Sequence, residues 1–348
     1  MPMDKRAKSL LGGAAIAALL IIPTLGRADD LQLAANTPHH SVPPAPPAPP
    51  AMPATPAAPA APEAPGWVRW PAKTYDASAL RVEDLVGTLT VDVKDSGPMT
   101  VEVSGSQARL QHITVHADGN VLRVDGDGHS NEDSVWDWKN WFNFTDGERR
   151  RVNNLFVRVT IPRGSEVRVD DLVGNATIGD TDGVLRFGAA ATTAHIGRVK
   201  DARIDVGGSG KIYVTQVDGP LHLNVGGSGK ITVGPTQEVD ADIAGSGDVT
   251  LGPIAGGMKL DIAGSGDVSA PRVNGPVHVE IAGSGSVKIA DGKADPLHVE
   301  IMGAGNFSFG GVAVDPHIEA VGSGSVKIKS YTGKLDTEGM ANVQIGGE

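Results

Sequence analysis

The sequence predicts an all-β protein that folds as a right-handed parallel β-helix, or β-solenoid, with coils of about 19 residues. A Gly-Ser-Gly or Gly-Ala-Gly tripeptide recurs from Ser209 to Ser323 at steps of 19, 18, 19, 19, 20 and 19 residues. Segments that alternate apolar and polar residues flank each tripeptide, as in strands. A second corner of Asp/Asn-Gly-Pro sequence recurs at 218–220 and 274–276. A Greek-key sandwich would not keep this period, and right-handed crossovers are the default between parallel strands.

The tripeptides are predicted to form the turns of the coils. Glycine lacks a Cβ and therefore turns the chain at positive φ without a clash. We assign a structural turn to the glycine before the central residue of each repeat. These glycines are Gly208, Gly227, Gly245, Gly264, Gly283, Gly303 and Gly322.

Residues 1–28 have the features of a signal peptide. Basic residues at the start are followed by an apolar run over residues 10–25 and by a cleavage region of small residues. A retained membrane anchor is the alternative, but Gly12, Gly13 and Pro23 interrupt a run that is already short for a membrane span. We expect an exported bacterial protein, periplasmic or at the cell surface, with no transmembrane segment after cleavage.

Residues 29–73 are rich in proline and alanine and cannot bury a core, so we expect a disordered, extended spacer. The spacer either holds the folded part away from a surface or is an inert tail. The chain has no cysteine, which excludes disulfides, thiol chemistry and a lipid anchor on cysteine. Its formal net charge of −11 argues against nucleic acid and anionic lipid as partners.

Residues 74–165 are expected to form an irregular N-terminal β part of the solenoid, and residues 166–348 its regular part. The first part contains alternating segments separated by Gly and Asp turns. One long-range match connects the two parts: Arg-Val-Glu-Asp-Leu-Val-Gly at 81–87 returns as Arg-Val-Asp-Asp-Leu-Val-Gly at 168–174. We therefore interpret the N-terminal half as a less regular start of the same solenoid.

These features resemble the bacterial head GIN domain family, whose members are described as autotransporter adhesins. The resemblance covers roughly residues 74–345. It is carried by repeated Ile/Val-Ala-Gly-Ser-Gly-Asp/Ser-Val units, as at 243–249, and by Val-Glu-Val at 101–103 and Leu-Arg-Val at 122–124. It implies an exported right-handed β-helix with a proposed adhesive role.

Aligning the coils on the tripeptides separates inward from outward positions. The inward positions are aliphatic and should stack as the core, as in the pairs Leu260/Ile262 and Val279/Ile281. The outward position between them forms an acidic column of Asp205, Asn224, Asp242, Asp261, Glu280, Glu300 and Glu319. Two residues earlier lies a second outward column of Arg203, His222, Asp240, Lys259, His278, His298 and His317. Both columns are predicted to belong to one exposed face.

The two columns contain candidate binding residues, because carboxylates and imidazoles at this spacing can hold a divalent cation or act as acid and base. The candidates are Asp242, Asp261, Glu280, Glu300, Glu319, His278, His298 and His317. The alternative is an ordinary solvated face, since outward strand positions are usually polar. No cofactor is predicted, apart from calcium on the acidic column. We expect the acids to raise the pKa of the neighbouring histidines, which would favour folding in mild acid.

An aromatic insertion at residues 129–150 contains three of the five tryptophans. Its binding candidates are Trp136, Trp138, Trp141 and Phe142, because exposed aromatic rings stack on sugars or on a protein partner. The alternative is a buried cap over one side of the solenoid, which the usual burial of large aromatics favours.

No catalytic residue is predicted. The Gly-Lys-Ile at 210–212 lacks the Ser/Thr of a phosphate-binding loop, and the repeated Gly-Ser-Gly is not a nucleophile elbow. We interpret the chain as a non-catalytic, adhesin-like interaction protein with carbohydrate or protein partners, and the sequence leaves oligomerisation open. One rival is a polysaccharide lyase or hydrolase with Asp242, Asp261 and His278 as its acid/base cluster. The other is a periplasmic structural protein without a separate ligand.

Overall fold

The solenoid predicted from the repeat is the observed fold. The computed structural model describes residues 67–126, 155–339 and 342–346. They form a β-solenoid of about 9 turns with a spacing of about 19 residues, which confirms the predicted fold class. The signal peptide, spacer residues 29–66 and the whole aromatic insertion lie outside the described residues. The prediction of a disordered spacer is wrong for its last residues, because Trp67–Arg69 is a strand that pairs with residues 104–106 of the solenoid.

The described residues form 26 strands and one short helix. The N-terminal elements are β1 (Trp67–Arg69), β2 (Lys73–Tyr75), β3 (Ala79–Glu83), β4 (Val86–Lys94), β5 (Met99–Ser106), α1 (Gln107–Leu110), β6 (Thr114–Asp118), β7 (Val121–Asp125), β8 (Leu155–Pro162), β9 (Glu166–Ile178) and β10 (Val184–Val199). The central strands are β11 (Asp201–Val206), β12 (Lys211–Val217), β13 (Pro220–Val225), β14 (Lys230–Val233), β15 (Glu238–Gly245), β16 (Asp248–Leu251), β17 (Met258–Gly264) and β18 (Asp267–Ala270). The last strands are β19 (Val273–Gly283), β20 (Ser286–Ile289), β21 (Gly292–Gly303), β22 (Asn306–Val314), β23 (His317–Gly322), β24 (Ser325–Thr332), β25 (Asp336–Gly339) and β26 (Asn342–Ile345). Within the described residues as a whole, no helix has the length and apolar character needed to span a membrane.

From β11 onward the odd-numbered and even-numbered strands form two parallel stacks. In the first stack each odd-numbered strand pairs with the next odd-numbered strand, from β11 to β25. The even-numbered strands β12 to β26 form the second stack in the same way. Neighbouring strands lie about 4.8 Å apart. Equivalent residues of successive coils therefore form columns, as predicted from the alternation.

The N-terminal half continues the first stack in an order that differs from the order along the chain. Strand β3 lies between β7 and β9, and β9 pairs with β10. The two copies of the repeated segment are neighbours, since Arg81 pairs with Arg168 and Gly87 with Gly174. Strand β5 runs antiparallel to β1, β2 and β8, and β6 runs antiparallel to β7. These antiparallel pairs are the irregular feature of this half.

The core is a thin interior of stacked aliphatic side chains. The predicted inward residues Leu260, Ile262, Val279 and Ile281 are at most 2% exposed. Each inward residue is followed by an outward one, because successive side chains of a strand point to opposite faces. The same alternation that builds the core therefore exposes the acids and histidines of the first stack.

Candidate functional site

The acidic column forms as predicted on the outer side of the first stack. Asp242 pairs in register with Asp261, and Asp261 with Glu280. Glu280 pairs in turn with Glu300, and Glu300 with Glu319. The column extends by one further residue to Glu338 on β25. Six consecutive coils thus present a carboxylate at the same position of the strand.

The second column lies beside it on the same strands. Lys259 pairs in register with His278, His278 with His298, and His298 with His317. Each of these residues is separated from its acid by one buried residue, such as Val279 between His278 and Glu280. We call the two columns together the charged face.

On several strands of the charged face, the basic residue is paired with the acid two residues later. The Nζ of Lys259 lies 2.6 Å from Oδ2 of Asp261. The Nε2 of His278 lies 2.8 Å from Oε1 of Glu280, and the same atoms of His317 and Glu319 are 3.0 Å apart. These side chains are partly exposed, so each pair contributes at most about 1 kcal/mol to stability. This pairing is expected if the columns form an ordinary solvated face. It also partly neutralises the charge of the stacked carboxylates.

The three histidines form a stack of parallel rings. The ring centroids of His278 and His298 are 4.6 Å apart with an interplanar angle of 4°. Those of His298 and His317 are 4.9 Å apart with an angle of 9°. Partial burial lowers the pKa of His298 below its ordinary value of 6.5, and the two flanking imidazoles lower it further against the opposing effect of Glu319 and Glu300. The expectation that the acids raise the histidine pKa is therefore wrong for the central ring.

The sign of the resulting pH effect follows from the direction of this shift. A histidine whose folded-state pKa is lowered stabilises the fold above its unfolded pKa, near 6.5, and this stability is lost as the pH falls through the folded-state value. We therefore expect His298→Asn to reduce the drop in melting temperature between pH 7.5 and pH 5.5.

The matched control for this prediction is His222→Asn. His222 belongs to the same column, and its Nδ1 lies 3.3 Å from Oδ2 of Asp240 on the next coil. The His222→Asn variant should show the same drop in melting temperature between pH 7.5 and pH 5.5 as the parent chain. A larger drop in His298→Asn than in the parent chain would contradict the assignment.

Arginines extend the second column beyond Arg203 into the N-terminal half, which the sequence did not predict. They stack in the order Arg123, Arg81, Arg168, Arg186 and Arg203. Acids lie beside these arginines. The Nη2 of Arg81 lies 2.6 Å from Oε1 of Glu83, and the Nε of Arg168 lies 2.6 Å from Oδ2 of Asp170. The Arg-Val-Glu/Asp sequence, which occurs at 81–83 and again at 168–170, was the sequence feature that could have revealed these stacked arginines. The charged face therefore has permanently charged pairs in its N-terminal half and titratable histidines in its C-terminal half.

Two shallow grooves border the charged face. One encloses about 440 Å³, and its lining includes Pro220, Pro276, Pro296, His278 and His298. The other encloses about 240 Å³ between the acidic column and an apolar column of Ala244, Ala263, Ala282 and Met302. Met302 is 55% exposed, and Val321 on the next coil is 64% exposed. The charged face thus combines carboxylates and imidazoles with apolar surface.

The other predicted site residues divide into three groups. Asp242, Asp261 and His278, the acid/base candidates, lie on three consecutive coils of the charged face. The glycines Gly245, Gly264, Gly283, Gly303 and Gly322 have positive φ values between +126° and +140°. Gly208 and Gly227 do not adopt such a φ. A Cβ on Gly227 would nevertheless overlap the carbonyl oxygen of Gly208. Trp136, Trp138, Trp141 and Phe142 lie outside the described residues.

Comparison with known proteins finds a family model that is similar to part of the chain. Residues 185–252 match the family model described as "Putative auto-transporter adhesin, head GIN domain", which confirms the resemblance over this part of the chain. No curated protein matches the chain.

Several solved structures are similar to this chain at low identity. A putative adhesin from Parabacteroides distasonis is 16% identical with a TM-score of 0.40, and the match covers 80% of this chain and 96% of that one. A putative adhesin from Parabacteroides merdae is 15% identical with a TM-score of 0.32, covering 80% and 95%. A putative lipid binding protein from P. distasonis is 14% identical with a TM-score of 0.33, covering 81% and 94%. At such TM-scores these structures assign no ligand or partner to this chain.

Proposed function

We propose that this chain is an exported, non-catalytic, adhesin-like interaction protein whose contact surface is the charged face. The proposal rests on the register of the strands that form the charged face. Asp242, Asp261, Glu280, Glu300 and Glu319 repeat at the same outward position on five consecutive coils. A flat, repetitive surface bordered by two grooves suits an extended partner that contacts several coils at once.

The chemistry of the face indicates the class of partner. Its carboxylates accept hydrogen bonds from sugar hydroxyls or from amide and ammonium groups of a protein. Its grooves add apolar surface from proline, alanine and Met302. We therefore propose a carbohydrate or a protein at the cell surface as the partner. The family model matched by residues 185–252 supports the adhesive class.

Export and location are part of the proposal. The signal-like residues 1–28 and the Pro/Ala-rich residues 42–66 support a chain that is secreted and held at a distance from its point of attachment. Fractionation of the producing bacterium should find a mature chain without residues 1–28 in the periplasm or on the surface. Full-length chain in the cytosol would contradict export.

A matched pair of variants tests the contact surface. Glu300→Gln with Glu319→Gln removes two charges from the charged face, and Asp248→Asn with Asp267→Asn removes two exposed charges from the second stack. Binding of the purified chain to a glycan array and to envelope fractions should fall at least about tenfold for the first pair and stay near the parent value for the second. Melting temperatures of both variants should stay close to the parent.

Three other results would contradict the proposal. An equal loss in both variants would show that net charge, not the charged face, drives attachment. Binding that survives in the first variant would place the contact surface elsewhere. Turnover of a polysaccharide on the same panel, lost in Asp261→Asn, would favour the lyase or hydrolase instead.

A further inference from the structure

We propose that Asp261, His278 and Glu280 form a binding site for a divalent transition-metal ion of the Zn²⁺ class. These three residues can each offer a ligand atom, and the three atoms all lie within 4.8 Å of one another. Among the described residues this is the only such group of three. The site goes beyond the proposed contact surface and does not depend on it, because a chain that attaches to no partner can still bind the ion.

The two carboxylate oxygens of Asp261 have different surroundings. Oδ2 lies 2.6 Å from the Nζ of Lys259. Oδ1 is buried from solvent, and no hydrogen-bond donor among the described residues reaches it. A buried acceptor without a donor is costly, so a cation or a bound water would be stabilising there. Lys259 would hold the carboxylate in place while the carboxylate binds the ion, which is how the ligands of metal sites are commonly supported.

The imidazole and the second carboxylate come from the next coil. The Nε2 of His278 already lies 2.8 Å from Oε1 of Glu280, so both side chains are directed toward the same point. Zinc binds histidine nitrogen and carboxylate oxygen at about 2.0–2.2 Å, which places tetrahedral ligands roughly 3.3 Å apart. Since all three ligand atoms are already within 4.8 Å, rotations of partly exposed side chains are enough to reach this arrangement.

The surroundings leave space for further ligands of the ion. His278 borders the 440 Å³ groove, and Asp261 and Glu280 border the 240 Å³ groove. Water can therefore complete the coordination, as it does where zinc has three protein ligands. An imidazole among the ligands favours Zn²⁺ over Ca²⁺, which prefers six to eight oxygens. The ammonium of Lys259 opposes the added positive charge, so we expect moderate rather than tight binding.

The test is titration of the full chain with ZnCl₂ at pH 7.5, followed by calorimetry and by thermal unfolding. His39 and His40 in the spacer offer a rival zinc pair, so His39→Ala with His40→Ala is the background for every variant. We expect one ion per chain and a higher melting temperature with zinc. Co²⁺ in place of Zn²⁺ should give a visible absorption band of histidine-bound metal.

Variants distinguish this site from the rest of the charged face. His278→Ala and Asp261→Asn should each weaken zinc binding at least about tenfold and abolish the cobalt band. The matched control is His317→Ala, which removes an imidazole of similar exposure with the same pairing to an acid two residues later. It should leave zinc affinity within about threefold of the background.

Three outcomes would overturn the assignment. The first is the absence of any zinc effect on the background variant. The second is unchanged zinc affinity in His278→Ala, with the fold verified by circular dichroism. The third is an equal stabilisation by Ca²⁺ that survives His278→Ala, which would reveal an oxygen-only cation surface along the acidic column. Attachment to cells is not a readout here, so failure of the contact-surface proposal leaves this test intact.

Discussion

Replacing Gly264 by valine should lower the free energy of unfolding by about 3 kcal/mol or more. Gly264 has a φ of +138°, in a region that side chains rarely adopt and that β-branched residues tolerate least. A Cβ there would also overlap the carbonyl oxygen of Gly245 on the preceding coil. The chain would have to separate two paired strands to make room. Urea unfolding of the full chain measures the loss.

Two controls separate the turn from general sensitivity to mutation. Ser265→Ala changes the exposed neighbour of Gly264 and should stay within about 0.5 kcal/mol of the parent. Gly207 is a matched glycine, because a Cβ there meets none of the described residues within 4 Å. Gly207→Ala should therefore be nearly neutral while Gly264→Ala is destabilising. Equal melting temperatures for Gly264→Val and Ser265→Ala would reject the turn assignment.

Truncating Phe307 to alanine should cost about 3–5 kcal/mol of stability. Its side chain is 1% exposed, and its strand neighbours in register are Val287 and Val326. The interior of the solenoid is thin and already filled from both stacks, so little can move in to close the cavity. The midpoint of denaturant unfolding should fall while its slope stays the same.

The control for Phe307 is its outward neighbour Ser308. Ser308→Ala changes a partly exposed side chain on the same strand and should alter stability by less than about 0.5 kcal/mol. A loss below about 1 kcal/mol for Phe307→Ala would show that this coil is packed more loosely than the structure indicates.

The regular half of the fold could be predicted because its signals are local. Alternation along a strand decides that Val279 points inward and His278 and Glu280 outward. The nearly constant distance between tripeptides, 18 to 20 residues, predicts that Asp261 and Glu280 are neighbours, and their register agrees. The need for glycine in the later coils also follows from the sequence, as the positive φ of Gly264 shows.

The N-terminal half was harder to predict because order along the chain is not order along the solenoid axis. Strand β3 lies between β7 and β9, although β4 to β6 separate β3 from β7 in the sequence. The column from Arg123 through Arg81 to Arg168 therefore has no constant spacing that would reveal it. The antiparallel pairing of β5 with β8 lacks a repeat signal for the same reason.

The sequence by itself determined the fold class, the inward columns and the residues that share the charged face. These follow from backbone periodicity and from the conformational freedom of glycine, which are properties of short segments. Only the tertiary structure decided what the side chains of that face do to one another. Partial burial, and after it the stacking with two other imidazoles, lowers the pKa of His298 although glutamates flank it, because these effects outweigh the attraction of the carboxylates. The approach of Asp261 to His278 and Glu280 likewise depends on side-chain rotamers and on contacts between coils, and the sequence alone does not specify these.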